Sequence, residues 1–247
     1  MNLYLTADTI GTPSGGGLVT YHESEALKQL GECEVWDRST LQRRMDRTEG
    51  MRVPFSGEPW CWDAAARFIK DWAWIDPPLK LVHIYSGTFP TTVQWFKKFA
   101  EWGRPVPKVC ITVAAHDRHI SRREHEQLGL EFPYKHLTEE PLWQRYIEGY
   151  RLADVIICPS TVAANTVRSY GPAFASKDIR VVPHGVTLPE AVAPLPARFT
   201  VGYMGSFGAD KGLRYLLAAW KQLAYRDATL VLAGRDSTSP WARHLIQ

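Results

Sequence analysis

The stretch from Arg198 to Ser237, RFTVGYMGSFGADKGLRYLLAAWKQLAYRDATLVLAGRDS, restricts the fold more than any other part of the chain. Phe199 to Met204 is a short apolar run that reads as a buried strand. A turn punctuated by Gly205, Gly208 and Gly212 follows, with Lys211 inside it. Leu213, Leu216, Leu217, Trp220 and Leu223 then recur at helical spacing, and Ala228 to Ala233 forms a second apolar run that stops at Gly234. Strand, helix and strand in this order require a parallel pair joined by a crossover helix. Glycines at a strand-to-helix turn let backbone N–H groups approach a ligand, and the helix dipole there favours an anion. Lys211 adds a point charge suited to phosphate. The same residues equally suit a tight turn with a surface lysine, and the turn alone does not separate the two.

The remaining chain repeats the alternation. Asn2 to Ala7 reads as a strand, Thr12 to Gly17 (TPSGGG) as a flexible polar turn, Leu18 to Leu30 as a helix, and Val35 with Trp36 as a second strand. This is a nucleotide-fold opening without the full dinucleotide spacing, and Asp37 is the one acidic residue placed to meet a ribose. Arg38 to Pro59 reads as an irregular polar loop and Pro59 to Trp74 as a helix. Leu79 to Tyr85 is a strand ending at Ser86-Gly87-Thr88, and Thr91 to Trp102 is a helix. Val109 to Ala114 is a strand that delivers Ala115-His116-Asp117 at its carboxyl end, where doubly wound sheets place ligands. Arg118 to Glu140 reads as a long charged loop and Glu140 to Leu152 as a helix. Val155 to Cys158 is a strand, Ser160 to Tyr170 a helix capped by Ser160, and Ile179 to Val182 a last strand. Leu188 to Ala197, rich in proline and alanine, suits a linker. The fold class expected is α/β: a complete doubly wound parallel sheet over residues 1–185, a linker over 186–198, and the first strand–helix–strand of a second Rossmann-like domain over 199–247.

Composition excludes several classes. A net charge of +3 over 247 residues, without a reading motif, gives no reason to expect a nucleic-acid partner. Cys33, Cys61, Cys110 and Cys158 are too scattered for a zinc or redox motif, and no metal site is expected. A reducing cytoplasm suits them, and there is no signal-peptide pattern or apolar run long enough to cross a bilayer. Trp95, Phe96, Lys97, Lys98, Phe99 and Trp102 allow two readings. One is an amphipathic helix making peripheral contact with the inner face of a membrane. In the other, Phe96, Phe99 and Ala100 are core contacts with the lysines solvated.

In combination these motifs resemble those of retaining glycosyltransferases of the two-Rossmann (GT-B) type, family 4 in particular. Gly205 and the pair Lys211-Gly212 stand at that family's spacing, and Leu232-Ala233-Gly234 closes the unit as it does there. Gly15-Gly16-Gly17 before a helix, the string Ile111 to Asp117 (ITVAAHD), Leu152 to Ser160 (LADVIICPS) and Arg180 to Val186 (RVVPHGV) resemble its first-domain segments. The chain departs from the pattern at Ser206, where an arginine is usual, and at His184, where asparagine is usual, which reads as structural. The resemblance implies transfer of a sugar from a UDP-, GDP- or other nucleoside diphosphate donor to an acceptor of unspecified class (saccharide, lipid or protein), without cofactor or metal. It implies donor contacts from Gly15, Gly16, Gly17, Gly205, Ser206 and Lys211, and acceptor contacts from Ser86, Thr88 and Arg118. His116, oriented by Asp117, would support the transferring sugar, and the departing phosphate, not either residue, would deprotonate the acceptor. The family's pair of glutamates separated by seven residues does not follow Gly234 before Gln247. The expectation is therefore weak or absent activity, either from a shortened enzyme or from one completed by a partner chain. A non-enzymatic acceptor-binding half, and another GT-B enzyme such as a nucleotide-sugar epimerase or phosphorylase, are the alternatives.

Overall fold

The computed structural model describes residues 1–6, 10–12, 15–48, 72–85, 90–113, 123, 125–129, 140–186, 188, 190–191, 194–208 and 211–235. The chain divides into two units: Met1–Asp117 with Tyr134–Gly185, and Arg118–Pro133 with Val186–Gln247. The segment Arg118–Pro133, expected in the first domain, groups with the second unit instead. There Arg214 Nη2 donates a 3.0 Å hydrogen bond to Gln127 Oε1.

The first unit alternates β1 (Asn2–Leu5), α1 (Gly15–Gln29), β2 (Cys33–Trp36), α2 (Arg38–Thr48), β3 (Leu81–Tyr85), α3 (Pro90–Lys97), β4 (Lys108–Thr112), α4 (Glu140–Leu152), β5 (Val155–Cys158), α5 (Thr161–Arg168) and β6 (Asp178–Val181). The six strands form one parallel sheet in the order β2-β1-β3-β4-β5-β6, the doubly wound arrangement the alternation predicts. Strand alternation divides the sheet into two faces. Leu3, Leu5, Val82, Ile84, Val109, Ile111 and Ile156 face the main core with Val93 and Phe96 of α3 and Tyr146 and Tyr150 of α4. Tyr4 and Tyr85 point the other way and pack with Leu27 of α1.

Phe96 and Phe99 are fully buried, with ring centroids 5.6 Å apart, and Trp95 and Trp102 pack half-buried against the same core. The segment is a core helix that ends in a 3-10 turn over Lys98–Trp102, so its aromatic residues are not a free apolar face. Among the described residues no helix is long and apolar enough to cross a membrane.

Two expectations from sequence need correction. Arg38–Thr48 is helical rather than irregular: Asp37 Oδ1 accepts the Thr40 amide at 2.8 Å, and Leu41 is buried in the main core. Asp37 is therefore a helix cap, which accounts for a carboxylate at that position without a ribose. Gly15-Gly16-Gly17, expected in a flexible turn, form the first turn of α1. Ser160 caps α5 as anticipated, accepting the Ala163 amide at 3.2 Å.

In the second unit β7 (Phe199–Met204) and β8 (Ala228–Ala233) pair in parallel from Phe199↔Ala228 to Met204↔Ala233, joined through α6 (Leu213–Leu223). Phe207 and Leu213 form its core with Tyr203, Leu216, Leu217 and Leu232.

Candidate functional site

In the first sheet β1 lies between β2 and β3, so the direction of sheet growth reverses there. The carboxyl ends of strands at such a reversal open the crevice in which doubly wound sheets bind ligands. The first turn of α1, following β1, stands at this edge, and a helix start is where amides look outside their own helix for partners. Glycine at these positions carries no side chain to shield them. The segment after β3, with Ser86 and Thr88, and the segment after β4, with His116, Asp117 and Arg118, lie outside the described residues. The strand ends from which they issue are neighbours, with Tyr85 opposite Thr112.

Directly beneath this edge the structure assembles four residues that sequence reasoning passed over. Glu23 of α1 accepts the Tyr4 hydroxyl on Oε2 at 2.6 Å and the Thr112 hydroxyl on Oε1 at 2.8 Å. His83 Nε2 lies 2.8 Å from Thr112 Oγ1 and 3.6 Å from Glu23 Oε2. Thr112 has one hydroxyl proton and donates it to Glu23, so its oxygen accepts from an Nε2–H on His83. Burial pushes the His83 imidazole below its ordinary range, against the opposing pull of Glu23. Burial first, and Glu23 after it, pushes the neighbouring Cys110 thiol up to about 12, which rules it out as a nucleophile at neutral pH. The signals were present: Thr20, Glu23, Ser24 and Leu27 repeat at helical spacing, and His83 interrupts an apolar strand.

A pH dependence follows from His83. With the folded value below the ordinary one, the imidazole is neutral in both states above pH ~6.5 and adds no slope there. As pH falls through that value, the unfolded chain takes up a proton that the folded chain refuses, and stability drops. Stability is therefore expected to be lower at pH 5.5 than at pH 7.5. Urea unfolding of the first unit at the two pH values checks this, and His83→Gln is expected to flatten the difference.

The second unit builds its turn from backbone. Gly205 N donates to Ala233 O at 2.9 Å and Phe207 N to Arg235 O at 3.0 Å, so the segments leaving β7 and β8 are laced together. The lacing requires glycine at Gly234, because a Cβ there would overlap the Gly205 carbonyl oxygen and lie 2.6 Å from its carbon. Tyr203 Oη donates to Ser206 O at 2.8 Å, and the Phe207 side chain is buried, so the turn is anchored at both ends. Lys211 N donates to Gly208 O at 3.1 Å, and Gly212, at φ +71, starts α6 in the left-handed region. Gly205 and Ser206 thus sit on a turn tied by backbone to the β8 segment, and Lys211 and Gly212 lead directly into α6. The Gly205 and Phe207 amides are committed to the β8 segment and the Tyr215 and Leu216 amides to the Gly212 carbonyl, and the start of α6 and the Lys211 ammonium are the groups chemically suited to an anion.

A cleft of about 480 Å³ lies at the opposite, amino-terminal edge of the first sheet, lined in part by Lys97, Arg151, Asp154 and Lys177. Its charges are engaged. Lys97 pairs with Asp154 at 2.7 Å, Arg151 pairs with Glu148 at 2.6 Å, and Lys177 donates to the Arg151 and Ala153 carbonyls at the end of α4. Asp154 also accepts the Val109 amide at 2.7 Å. This cleft caps a helix and fastens α3 to β4.

The fold is α/β: a parallel doubly wound sheet and, in the second unit, a strand–helix–strand. It is similar to the crystal structure of LpCGTa in complex with UDP, with 15% identity and a TM-score of 0.41, covering 93% of this chain and 69% of that one. It is also similar to apo UGT2 of Phytolacca americana, with 12% identity and a TM-score of 0.43, covering 94% of this chain and 63% of that one. No protein-family model matches the sequence, and no curated protein matches it significantly.

Proposed function

We propose that this chain belongs to a retaining glycosyltransferase of GT-B type and binds the diphosphate of a nucleoside diphosphate sugar through its second unit. The observation that carries the reading is the laced turn between β7 and β8, which presents the amino end of α6 beside Lys211. A diphosphate placed there meets the positive end of a helix dipole and an ammonium group, a combination that stabilises a leaving group electrostatically. Ser206 offers a hydroxyl but no charge where the family carries an arginine, so donor affinity is expected to be modest. In the first unit, Gly15–Gly17 would approach the donor, Ser86, Thr88 and Arg118 the acceptor, and His116, oriented by Asp117, the transferring sugar. Departure of the phosphate would supply the base that deprotonates the acceptor.

Incubation with UDP- and GDP-hexoses, with released nucleotide and product anomer as readouts, tests the reading. The expected result is slow or absent turnover by this chain alone, with any product retaining the donor configuration. An inverted product, or sugar isomerisation without an acceptor, would replace this reading with another.

A second reading, a half that needs a partner chain, has one observation in its favour. Parallel strands are ordinarily covered on both faces. Phe199 is 65% exposed and Met204 91% exposed on β7. Transfer that appears only after a partner chain is added would favour this version.

A further inference from the structure

The polar cluster around Glu23 has no part in the roles proposed above, yet it joins three strands to one helix at the edge where the ligand crevice opens. We infer that Glu23 is a positioning residue: its carboxylate ties α1, and so the glycine-led start of that helix, to the carboxyl end of β4, from which the segment bearing His116 issues. The inference deepens the first-unit part of the reading above and rests on that reading only for the roles of Gly15–Gly17 and His116.

The geometry carries it. One oxygen of Glu23 takes the hydroxyl of Tyr4 in β1, and the other takes the hydroxyl of Thr112, the last residue of β4. His83 in β3 completes the chain by donating to Thr112. A single carboxylate therefore fixes the helix against β1 and β4, on either side of β3. The rest of the α1 contact is poor in apolar anchors. Thr20 and Ser24 are buried beside Glu23 but bond within their own helix, to the Gly17 and Tyr21 carbonyls, and Leu27 supplies the fully buried apolar contact one turn further on. An apolar stripe could slide by small amounts, whereas a carboxylate with both oxygens engaged at 2.6 and 2.8 Å has one docking position.

Hydrogen–deuterium exchange on the full chain, read by mass spectrometry, tests the tie. Peptides from Gly15–Gln29 report on α1 and peptides from Thr161–Arg168 serve as an internal control. Glu23→Gln, which turns one acceptor into a donor, and Thr112→Val are each expected to speed α1 exchange about tenfold while leaving the control unchanged. Thr112→Ser keeps the hydroxyl and is expected to behave as wild type. The double variant Glu23→Gln/Thr112→Val is expected to speed exchange by less than the product of the two single effects, because both remove the one Glu23–Thr112 hydrogen bond. Wild-type α1 protection in Glu23→Gln, or additive effects in the double variant, would overturn the inference. Should the variants fold poorly, long-range nitrogen–proton NMR of the wild-type imidazole decides: an Nε2–H tautomer of His83 supports the network, and an Nδ1–H tautomer overturns it. No ligand enters either measurement, so failure of the tie and failure of the donor reading are seen separately.

Discussion

Gly234→Ala is expected to unfold the second unit while leaving the first intact. The added methyl would overlap the Gly205 carbonyl oxygen and sit 2.6 Å from its carbon, a conflict with backbone that no rotamer change relieves. Neither strand end can retreat cheaply, because Gly205 and Phe207 hold the β8 segment by hydrogen bonds of 2.9 and 3.0 Å. The cost is about 3 kcal/mol or more, at the upper end of what overpacking does. A unit with so small a core, Phe207 and Leu213 with four half-buried neighbours, has little stability to spare. Gly205→Ala provides the contrast. A Cβ there meets the phenol end of Tyr203 at 3.2 Å, which a side chain can yield to. Exchange protection of Leu213–Leu223 should therefore vanish in Gly234→Ala and largely survive in Gly205→Ala.

The second large effect lies in the first unit. Phe96→Ala is expected to cost about 3–5 kcal/mol, because it empties a fully buried aromatic site next to Phe99. The substitution separates the two readings of the aromatic and lysine-rich segment. A core role lowers the urea midpoint followed by circular dichroism. A membrane-surface role would leave that midpoint in place and reduce binding to anionic vesicles. Lys97→Ala is expected to act more weakly, since its partner Asp154 keeps the Val109 amide.

How far the sequence carried depended on whether apolar spacing or side-chain pairing made the element. β5 coincides with its apolar run because a buried parallel strand is nearly continuous in apolar residues, whereas β7 and β8, read as a buried pair, form over their apolar runs with no residue of either fully buried. α2 was missed because RSTLQRRMDRT has almost no stripe; a cap from Asp37 and the burial of Leu41 form it. The start of α1 was misplaced because glycine in a first helical turn looks like glycine in a loop. In the candidate site, the Gly205 to Lys211 turn was legible from spacing. That Gly234 is its counterpart was not, since the approach of two backbones appears only once both strands are paired. Glu23, His83 and Thr112 come from separate elements, and pairwise geometry of that kind has no period to read.

The central claim is that the second-unit turn holds a diphosphate. Titration calorimetry of the wild-type chain with UDP, GDP and uridine tests it most directly, with Lys211→Ala as the paired variant. The account predicts that one of the diphosphates binds, that uridine does not compete measurably, and that Lys211→Ala weakens the diphosphate about tenfold through loss of a charge-assisted contact. Absence of binding by both diphosphates, or an affinity that Lys211→Ala leaves unchanged, would contradict it.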